Sequence, residues 1–306
     1  MDTTEFTCKN VGPNTVTLTV VDNNQNETTA TAKVTVEDNV APIAIAKDIT
    51  VQLDTNGTAT IAPADIDNGS NDACGIADLS LDITEFSCED VGGNIVTLTV
   101  VDNNQNETTA TATVTVEDNV APTAIAKDIT VQLDTNGTAT IAPADIDNGS
   151  NDACGISSLS LDTTEFTCKN VGPNTVTLTV VDNNQNETTA TATVTVEDNV
   201  APIALAKDIT VQLDANGIAT IAPADIDNGS NDACGIASLS LDITEFSCED
   251  VGKNTVTLTV TDNNQNETTA TATVTVEDNV APVALTKNIT VQLDANGTAT
   301  IAPADI

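Results

Sequence analysis

The sequence contains no histidine, arginine, tryptophan or tyrosine, and eight lysines stand against 46 aspartates and glutamates, so the formal net charge is −38. Nucleic acids are bound through clustered cations, and this charge excludes them as natural partners. The chain also lacks the commonest general base and the usual clamp for phosphate or carboxylate substrates. We therefore expect a protein that is not an enzyme.

Long apolar runs are absent as well. No stretch of about 18 apolar residues occurs, so we expect no membrane span in this sequence. No basic and then apolar leader precedes Asp2, so we expect any secretion signal to lie outside the chain. Hydrophobic residues still make up 40% of the sequence. That fraction is too high for a disordered chain, despite the large charge.

The sequence repeats itself every 80 residues. The segment VDNNQNETTA begins at Val21, Val101 and Val181, and returns with one change at Thr261. We take the recurring segment DNVAP as the linker, because proline restricts its neighbour to extended geometry and cannot donate to a sheet. The predicted complete repeats are residues 38–117, 118–197 and 198–277. Residues 1–37 are then the C-terminal half of a repeat and residues 278–306 the N-terminal half, as in a window cut from a longer array.

Within each repeat, apolar residues alternate with threonine. Val96, Leu98 and Val100, for example, alternate with Thr97 and Thr99. Alternation of period two predicts half-buried antiparallel strands, and clusters of Asp, Asn and Gly between them predict turns. About seven short strands in 80 residues favour a small sandwich. The predicted fold is all-β: tandem immunoglobulin-like β-sandwich domains in an extended array.

Five segments follow one another in every repeat: ITVQL, a DxD before Cys-Gly, FxCxxVG, TVTLTVVDNNQN and TVTVEDNVAP. In this order they cover each repeat from end to end, and the repeat resembles bacterial copies of the hyalin repeat (HYR) domain. The resemblance implies an immunoglobulin-like sandwich used in tandem on secreted and cell-surface proteins, generally for adhesion and not for catalysis. Many bacterial copies carry a further cysteine pair, which residues 44–47 and 108–112 of this chain lack.

The seven cysteines recur with the repeat. Because they have no histidine and no CxxC motif beside them, they indicate disulfides in an oxidising compartment and not zinc ligands. One pairing lies within repeats and leaves Cys8 odd: Cys74–Cys88, Cys154–Cys168 and Cys234–Cys248. The other joins neighbouring repeats and leaves Cys248 odd: Cys8–Cys74, Cys88–Cys154 and Cys168–Cys234. Parity does not decide between them, and we favour pairing within repeats.

Acidic and amide side chains concentrate in three segments of each repeat: the linker and two loops. These segments should meet at the N-terminal end of the sandwich. Ca²⁺ prefers six to eight such oxygen ligands, which predicts a calcium site there. The layout is similar to that of cadherins, whose DxNDN linker and DxD loop bind calcium between domains. The simpler interpretation is solvated Asx turns. The predicted ligands are Asp38, Asp65, Asp67, Asp72, Asp102, Asn104 and Asn106 in the first complete repeat; Asp118, Asp145, Asp147, Asp152, Asp182, Asn184 and Asn186 in the second; and Asp198, Asp225, Asp227, Asp232, Asp262, Asn264 and Asn266 in the third.

Near identity among the copies indicates a property that adds up along the array, such as length, stiffness or valency. Cations at the junctions would stiffen the linkers. We therefore predict an extracellular structural protein, the stalk of a bacterial surface adhesin or the subunit of a fibre. Its expected partners are neighbouring copies of the same repeat, in a lateral or head-to-tail homopolymer. The alternative is an adhesion module that recognises a surface glycan or protein, but such sites usually need aromatic residues or arginine.

Overall fold

The computed structural model describes all 306 residues, and nearly all of its regular structure is strand. Residues 1–37 contain two strands, β1 (Gly12–Val21) and β2 (Glu27–Val36). The first complete repeat contains β3 (Ile49–Gln52), β4 (Thr58–Thr60), α1 (Pro63–Ile66), β5 (Ile76–Leu81), β6 (Glu85–Ser87), β7 (Gly92–Asp102) and β8 (Glu107–Glu117).

The same elements recur 80 and 160 residues later. The second complete repeat contains β9 (Ile129–Gln132), β10 (Thr138–Thr140), α2 (Pro143–Ile146), β11 (Ile156–Leu161), β12 (Glu165–Thr167), β13 (Gly172–Asp182) and β14 (Glu187–Glu197). The third contains β15 (Ile209–Gln212), β16 (Ala219–Thr220), α3 (Pro223–Ile226), β17 (Ile236–Leu241), β18 (Glu245–Phe246), β19 (Gly252–Asp262) and β20 (Glu267–Glu277). Short 3₁₀ helices lie at Cys8–Asn10, Cys88–Asp90, Cys168–Asn170, Cys248–Asp250 and Pro303–Asp305. None of the helices has the length and apolar character that a membrane crossing requires.

Each complete repeat has six strands, where the sequence predicts about seven. The missing strand is reduced to two isolated bridges, which pair Ile43 with Asn71 and Ala46 with Asp67. The loop predicted over residues 63–75 begins with the short helix α1, because Pro63 starts it and the Asp65 carboxylate accepts the Ala62 N–H at 2.8 Å. A single helical turn is too short to produce a helical period in the sequence.

Two sheets form the sandwich of the first complete repeat. One has four strands in the order β3-β8-β7-β5, and the other pairs β4 with β6. β3 is parallel to β8, with Ile49 opposite Val114, and all the other pairs are antiparallel. The third complete repeat has the same two sheets, in the orders β15-β20-β19-β17 and β16-β18. The repeats are therefore immunoglobulin-like sandwiches in tandem, as the alternation predicts.

The inner faces of the two sheets share one core. Val96, Leu98 and Val100 on β7 are completely buried, whereas Thr97 between them is half-buried. Phe86, on the second sheet, packs into the same cluster. The strands form because every second residue can leave water on this inner face, while threonine tolerates the outer one. Connecting residues complete the core, namely Leu53, Ile61 and Ile66.

Contacts group the chain into two compact units. One consists of residues 1–129, 142–164 and 175–193, and the other of residues 130–141, 165–174 and 194–306. The first complete repeat lies wholly in the first unit and the third wholly in the second. These units do not follow the predicted repeat boundaries, which stay a prediction taken from the sequence period.

The disulfides join successive repeats, so the pairing that we favour from the sequence is wrong. The bonds are Cys8–Cys74, Cys88–Cys154 and Cys168–Cys234, each with a sequence separation of 66 residues, and Cys248 is free. The rejected pairs are Cys74–Cys88, Cys154–Cys168 and Cys234–Cys248.

The reason lies in the direction of β7. Ile76, two residues after Cys74, pairs with Asp102 at the end of β7, whereas Cys88 lies just before β7 begins at Gly92. Eleven strand residues span roughly 36 Å, so the two cysteines of one repeat lie at opposite ends of the sandwich. A disulfide needs Cα atoms within about 7 Å. Cys88 reaches Cys154 instead, with a Cα–Cα distance of 5.2 Å.

Candidate metal site

A linker aspartate begins each complete repeat, and one of its carboxylate oxygens has no partner. Oδ1 of Asp118 accepts the N–H of Val120 at 3.0 Å, which closes a tight Asx turn. Oδ2 of Asp118 is buried and accepts no hydrogen bond, and the same holds for Oδ2 of Asp38 and Asp198. Asp118 and Asp198 are 6% and 5% exposed. A buried, unpaired carboxylate oxygen is costly, so its occurrence in all three repeats indicates a partner that is not protein.

A second carboxylate lies beside the linker aspartate. Ligand atoms of Asp118, Asp152 and Cys154 lie within 4.8 Å of one another, and the same arrangement recurs in the other two repeats. The sulfur of Cys154 is bonded to Cys88 and so offers no thiolate. The pair that remains is Asp118 with Asp152; its counterparts are Asp38 with Asp72 and Asp198 with Asp232.

The turn between β7 and β8 holds the linker in place. Asn106 donates from Nδ2 to the carbonyl oxygens of Asp38 and Val40, at 3.1 and 3.2 Å. The equivalent bonds are Asn186 to Asp118 and Asn266 to Asp198 and Val200. The linker and the two loops therefore meet at one end of the repeat, as the sequence predicts.

Asp102, at the end of β7, is completely buried and closes this turn. Its Oδ1 accepts the N–H groups of Asn104 and Asn106, both at 2.8 Å, and its Oδ2 accepts Asn106 Nδ2 at 2.7 Å. Burial alone would raise the pKa of Asp102, but the hydrogen bonds from Asn106 and Asn104 outweigh it and hold the pKa below its usual value. Asp182 with Asn184 and Asn186, and Asp262 with Asn264 and Asn266, repeat the arrangement.

Asn103, which is missing from the predicted ligand set, ties the two loops together. Its Nδ2 donates to the carbonyl oxygen of Cys74 at 2.8 Å, and its N–H donates to Gly75 O at 3.1 Å. Gly75 has φ +93°, and a Cβ there would lie 2.8 Å from Asn103 Nδ2. The only signal in the sequence is the run of three amides in DNNQN, which does not say which one reaches the other loop.

Asp65 and Asp67 use their carboxylates locally and are not part of the Asp38–Asp72 group. The Asp65 carboxylate caps α1, while that of Asp67 accepts the N–H groups of Ser70 and Gly69 at 3.0 and 3.3 Å. Hydrogen bonding, first from the Ser70 side chain, lowers the pKa of Asp67. The later counterparts do the same, namely Asp145, Asp147, Asp225 and Asp227.

The electrostatics of the linker aspartate differ from those of the other acids. Burial raises the pKa of Asp198, and the negative charges of Asp232 and Asp262 raise it further, against the opposing effect of the Val200 N–H. A divalent cation between the carboxylates would offset both causes. The donors of the pair are all oxygens, which suits a hard cation such as Ca²⁺, and carbonyl oxygens and water would supply the remaining ligands.

The candidate site adjoins the bond between repeats. Asp152 Oδ1 accepts the N–H of Cys154 at 2.7 Å, and the side chain of Cys154 is bonded to Cys88 of the preceding repeat. The linker, the loop that carries Asp152 and the preceding repeat are thus connected within three residues. A cation bound here would act directly on a junction between repeats.

No family model matches the chain, and no curated protein matches it. Among solved structures it is similar to extracellular cadherin domains 1–4 of protocadherin gamma B7, with 13% identity, a TM-score of 0.33, and coverage of 88% of this chain and 84% of that chain. It is also similar to a mutated variant of titin domains I67–I69 (10% identity, TM-score 0.35, 78% and 99% coverage). A third is Sidekick-1 immunoglobulin domains 1–5 (11% identity, TM-score 0.34, 85% and 66% coverage). At these values the likeness carries no argument about function.

Proposed function

We propose that the chain is an extracellular structural array whose junctions are fixed by bound Ca²⁺. The cations bind between Asp38 and Asp72, between Asp118 and Asp152, and between Asp198 and Asp232. The observation that carries this proposal is the buried Oδ2 atom without a partner on each linker aspartate. Asx turns alone do not explain it, because a turn satisfies only Oδ1.

Two constraints then act on each junction. The disulfide ties the loop of one repeat to the preceding repeat, and the cation ties that loop to the linker. Together they restrict rotation about the linker, so a row of identical domains gains stiffness. Stiffness and length add up along the array, which fits near-identical copies without a specialised member. The proposed role is mechanical and not catalytic.

The three disulfides favour an oxidising environment such as the cell exterior. The order of segments in each repeat resembles bacterial HYR repeats, and on that resemblance we place the array at a bacterial cell surface, as an adhesin stalk or a fibre. Its proposed partners are copies of the same repeat, assembled head to tail. Binding of a distant ligand is left to other domains, since this sequence has four Phe and no Trp or Tyr for an anchor.

Thermal unfolding of the whole chain with Ca²⁺ and with EDTA tests the calcium proposal. We expect a higher melting temperature in Ca²⁺, because a ligand at 100 times its Kd stabilises the native state by about 2.7 kcal/mol per site. Titration calorimetry should detect binding at the three junctions. Identical melting in both solutions, with no heat of binding, would overturn the proposal.

A matched pair of triple variants makes the test specific. Asp38→Asn, Asp118→Asn and Asp198→Asn together remove three charges from the junctions and should abolish the calcium effect. Glu85→Gln, Glu165→Gln and Glu245→Gln remove the same charge from exposed strand positions and should retain it. Equal behaviour of the two variants would point to nonspecific screening.

A further inference from the structure

Two glycine turns in the array receive the cysteine loop of the following repeat. A Cβ placed on Gly57 would lie 2.6 Å from Cys88 Sγ, 3.2 Å from Ala153 Cβ and 3.5 Å from Cys154 Sγ. Gly137 has the same surroundings, with Ala233 at 3.2 Å and Cys234 at 3.5 Å. The Ala-Cys pair of one repeat thus packs against the glycine turn of the preceding one.

The third glycine turn has the same shape without the Ala-Cys pair. A Cβ on Gly217 would meet only Cys248 Sγ, at 2.7 Å. Cys248 is free and exposed, and its sulfur keeps a contact of 3.8 Å with Gly217 O, where Cys88 has 3.7 Å to Gly57 O. An open cleft of about 520 Å³ lies here, lined by residues 214–217, Cys248, Asp278 and residues 280–283. We call it the Cys248 cleft.

We propose that the Cys248 cleft binds the Asp72–Ala73–Cys74 segment of a second copy of this chain and closes on it with a Cys248–Cys74 disulfide. This deepens the proposed head-to-tail assembly and rests on it for the partner. The argument is the molecule's own precedent, because two clefts of the same composition hold the same Asp-Ala-Cys segment.

Cys74 is the most accessible of the three segment cysteines. Cys154 and Cys234 pack against a glycine turn and bond to half-buried cysteines. The partner of Cys74 is Cys8, which is exposed and belongs to residues 1–37, where the sequence has no counterpart of the turn at residues 54–57. An exposed disulfide is open to attack by a thiolate.

Exchange completes the link without an oxidant. The Cys248 thiolate attacks Cys74 Sγ of the second copy, the Cys248–Cys74 bond forms, and the Cys8–Cys74 bond breaks. Cys8 leaves as a thiolate and takes up the proton that Cys248 lost, so the number of disulfides is unchanged. The second copy still has its own Cys248, and growth therefore continues in one direction.

The docked segment would also rebuild a metal site. Asp278 closes the same Asx turn as the other linker aspartates, with Val280 N–H at 3.0 Å. Docking would bring Asp72 of the second copy beside it, as Asp152 lies beside Asp118. Two copies that each carry −38 charges repel, so we expect linkage to need Ca²⁺ or high salt.

The test uses the full chain and a Cys8→Ser variant, which frees Cys74, in a glutathione redox buffer. Nonreducing electrophoresis should give a ladder of oligomers, faster for the variant, and mass mapping should identify Cys248 joined to the peptide with Cys74. The tryptic or other peptides are distinguishable because Ala77-Asp78 follows Cys74, whereas Ser157-Ser158 and Ala237-Ser238 follow the other two. Persistent monomers of both proteins, or dimers joined through Cys248–Cys248, would overturn the proposal.

A further substitution separates docking from random oxidation. Ala73→Leu in the Cys8→Ser background keeps both thiols but overfills the cleft, and should reduce the Cys248–Cys74 product at least about tenfold. An unchanged yield would overturn docking. Linkage in high salt that ignores Ca²⁺ would support the cleft while counting against the calcium proposal, so the two failures are distinguishable.

Discussion

Asp152 and Cys154 are joined by a hydrogen bond from the Cys154 N–H to the Asp152 carboxylate, at 2.7 Å. The same Cys154 is bonded to Cys88 of the preceding repeat. The position of a candidate metal ligand is therefore set by a disulfide two residues away, and the two features should affect each other.

This coupling predicts that breaking the Cys88–Cys154 bond weakens calcium binding at Asp118 and Asp152. Replacing both cysteines by serine should lower the affinity of that site by at least about fivefold, the lower end of usual coupling between sites. By reciprocity, Ca²⁺ should slow reduction of the disulfide in the unmodified chain. Calorimetry and timed reduction measure the two effects. Cys248→Ser, which breaks no bond, is the control, and equal affinities in both variants would contradict the coupling.

The burial of Asp198 gives a second prediction. In EDTA, Asp198→Asn should raise the melting temperature at neutral pH, because it removes a buried charge that faces Asp232. In Ca²⁺ the same substitution should lower it, since the ligand is lost. Glu249→Gln, at an exposed position, should do neither. A variant that is destabilised in both solutions would show that the charge is not the source of the cost.

The pH dependence of this effect follows from the raised pKa of Asp198. Both proteins should melt alike well below the usual carboxyl value of 3.8, where Asp198 is protonated in both folded and unfolded chains. As the pH rises through that value to the raised folded pKa, the wild type loses stability relative to Asp198→Asn. Melting curves in EDTA from pH 3 to 7 should thus diverge upward, and parallel curves would contradict the assignment.

Local patterns in the sequence are enough to predict the strands but not the ends at which loops meet. The alternation of Val96, Leu98 and Val100 gives β7, because burial on one face depends only on period two. The pairing of Cys88 depends on which end of β7 it occupies, and a spacing of 14 residues does not contain that direction. The connectivity therefore needed the three-dimensional structure.

The ligand set illustrates the same limit for side chains of one type. Asp67 and Asp38 are both loop aspartates with amide neighbours in the sequence. Asp67 has two N–H groups within reach, from Gly69 and Ser70, whereas Asp38 has only that of Val40. The number of nearby donors decides which carboxylate is left for a cation, and that number depends on the local backbone geometry.

The turn between β7 and β8 contains a strained residue. Gln105 has φ +70°, in the left-handed region where a Cβ is unfavourable. Gln105→Gly should stabilise the chain by about 0.5 to 1 kcal/mol, the left-handed penalty less the extra entropy of glycine. Gln105→Ala keeps the Cβ and should change little. Chemical denaturation compares the two, and equal stabilities would argue against strain at this position.

The contact between repeats can be separated from backbone strain with two glycines. Gly57 and Gly69 have φ +74° and +88°, so alanine at either should cost about 1 to 2 kcal/mol. A Cβ on Gly69 meets nothing within 4 Å, whereas one on Gly57 meets Cys88 Sγ and Ala153 Cβ. Gly57→Ala should therefore cost about 1 to 3 kcal/mol more than Gly69→Ala, because the following repeat must shift. It should also speed reduction of the Cys88–Cys154 bond, which Gly69→Ala leaves unchanged. Equal destabilisation and equal reduction rates in the two variants would mean that the glycine turn does not hold the next repeat.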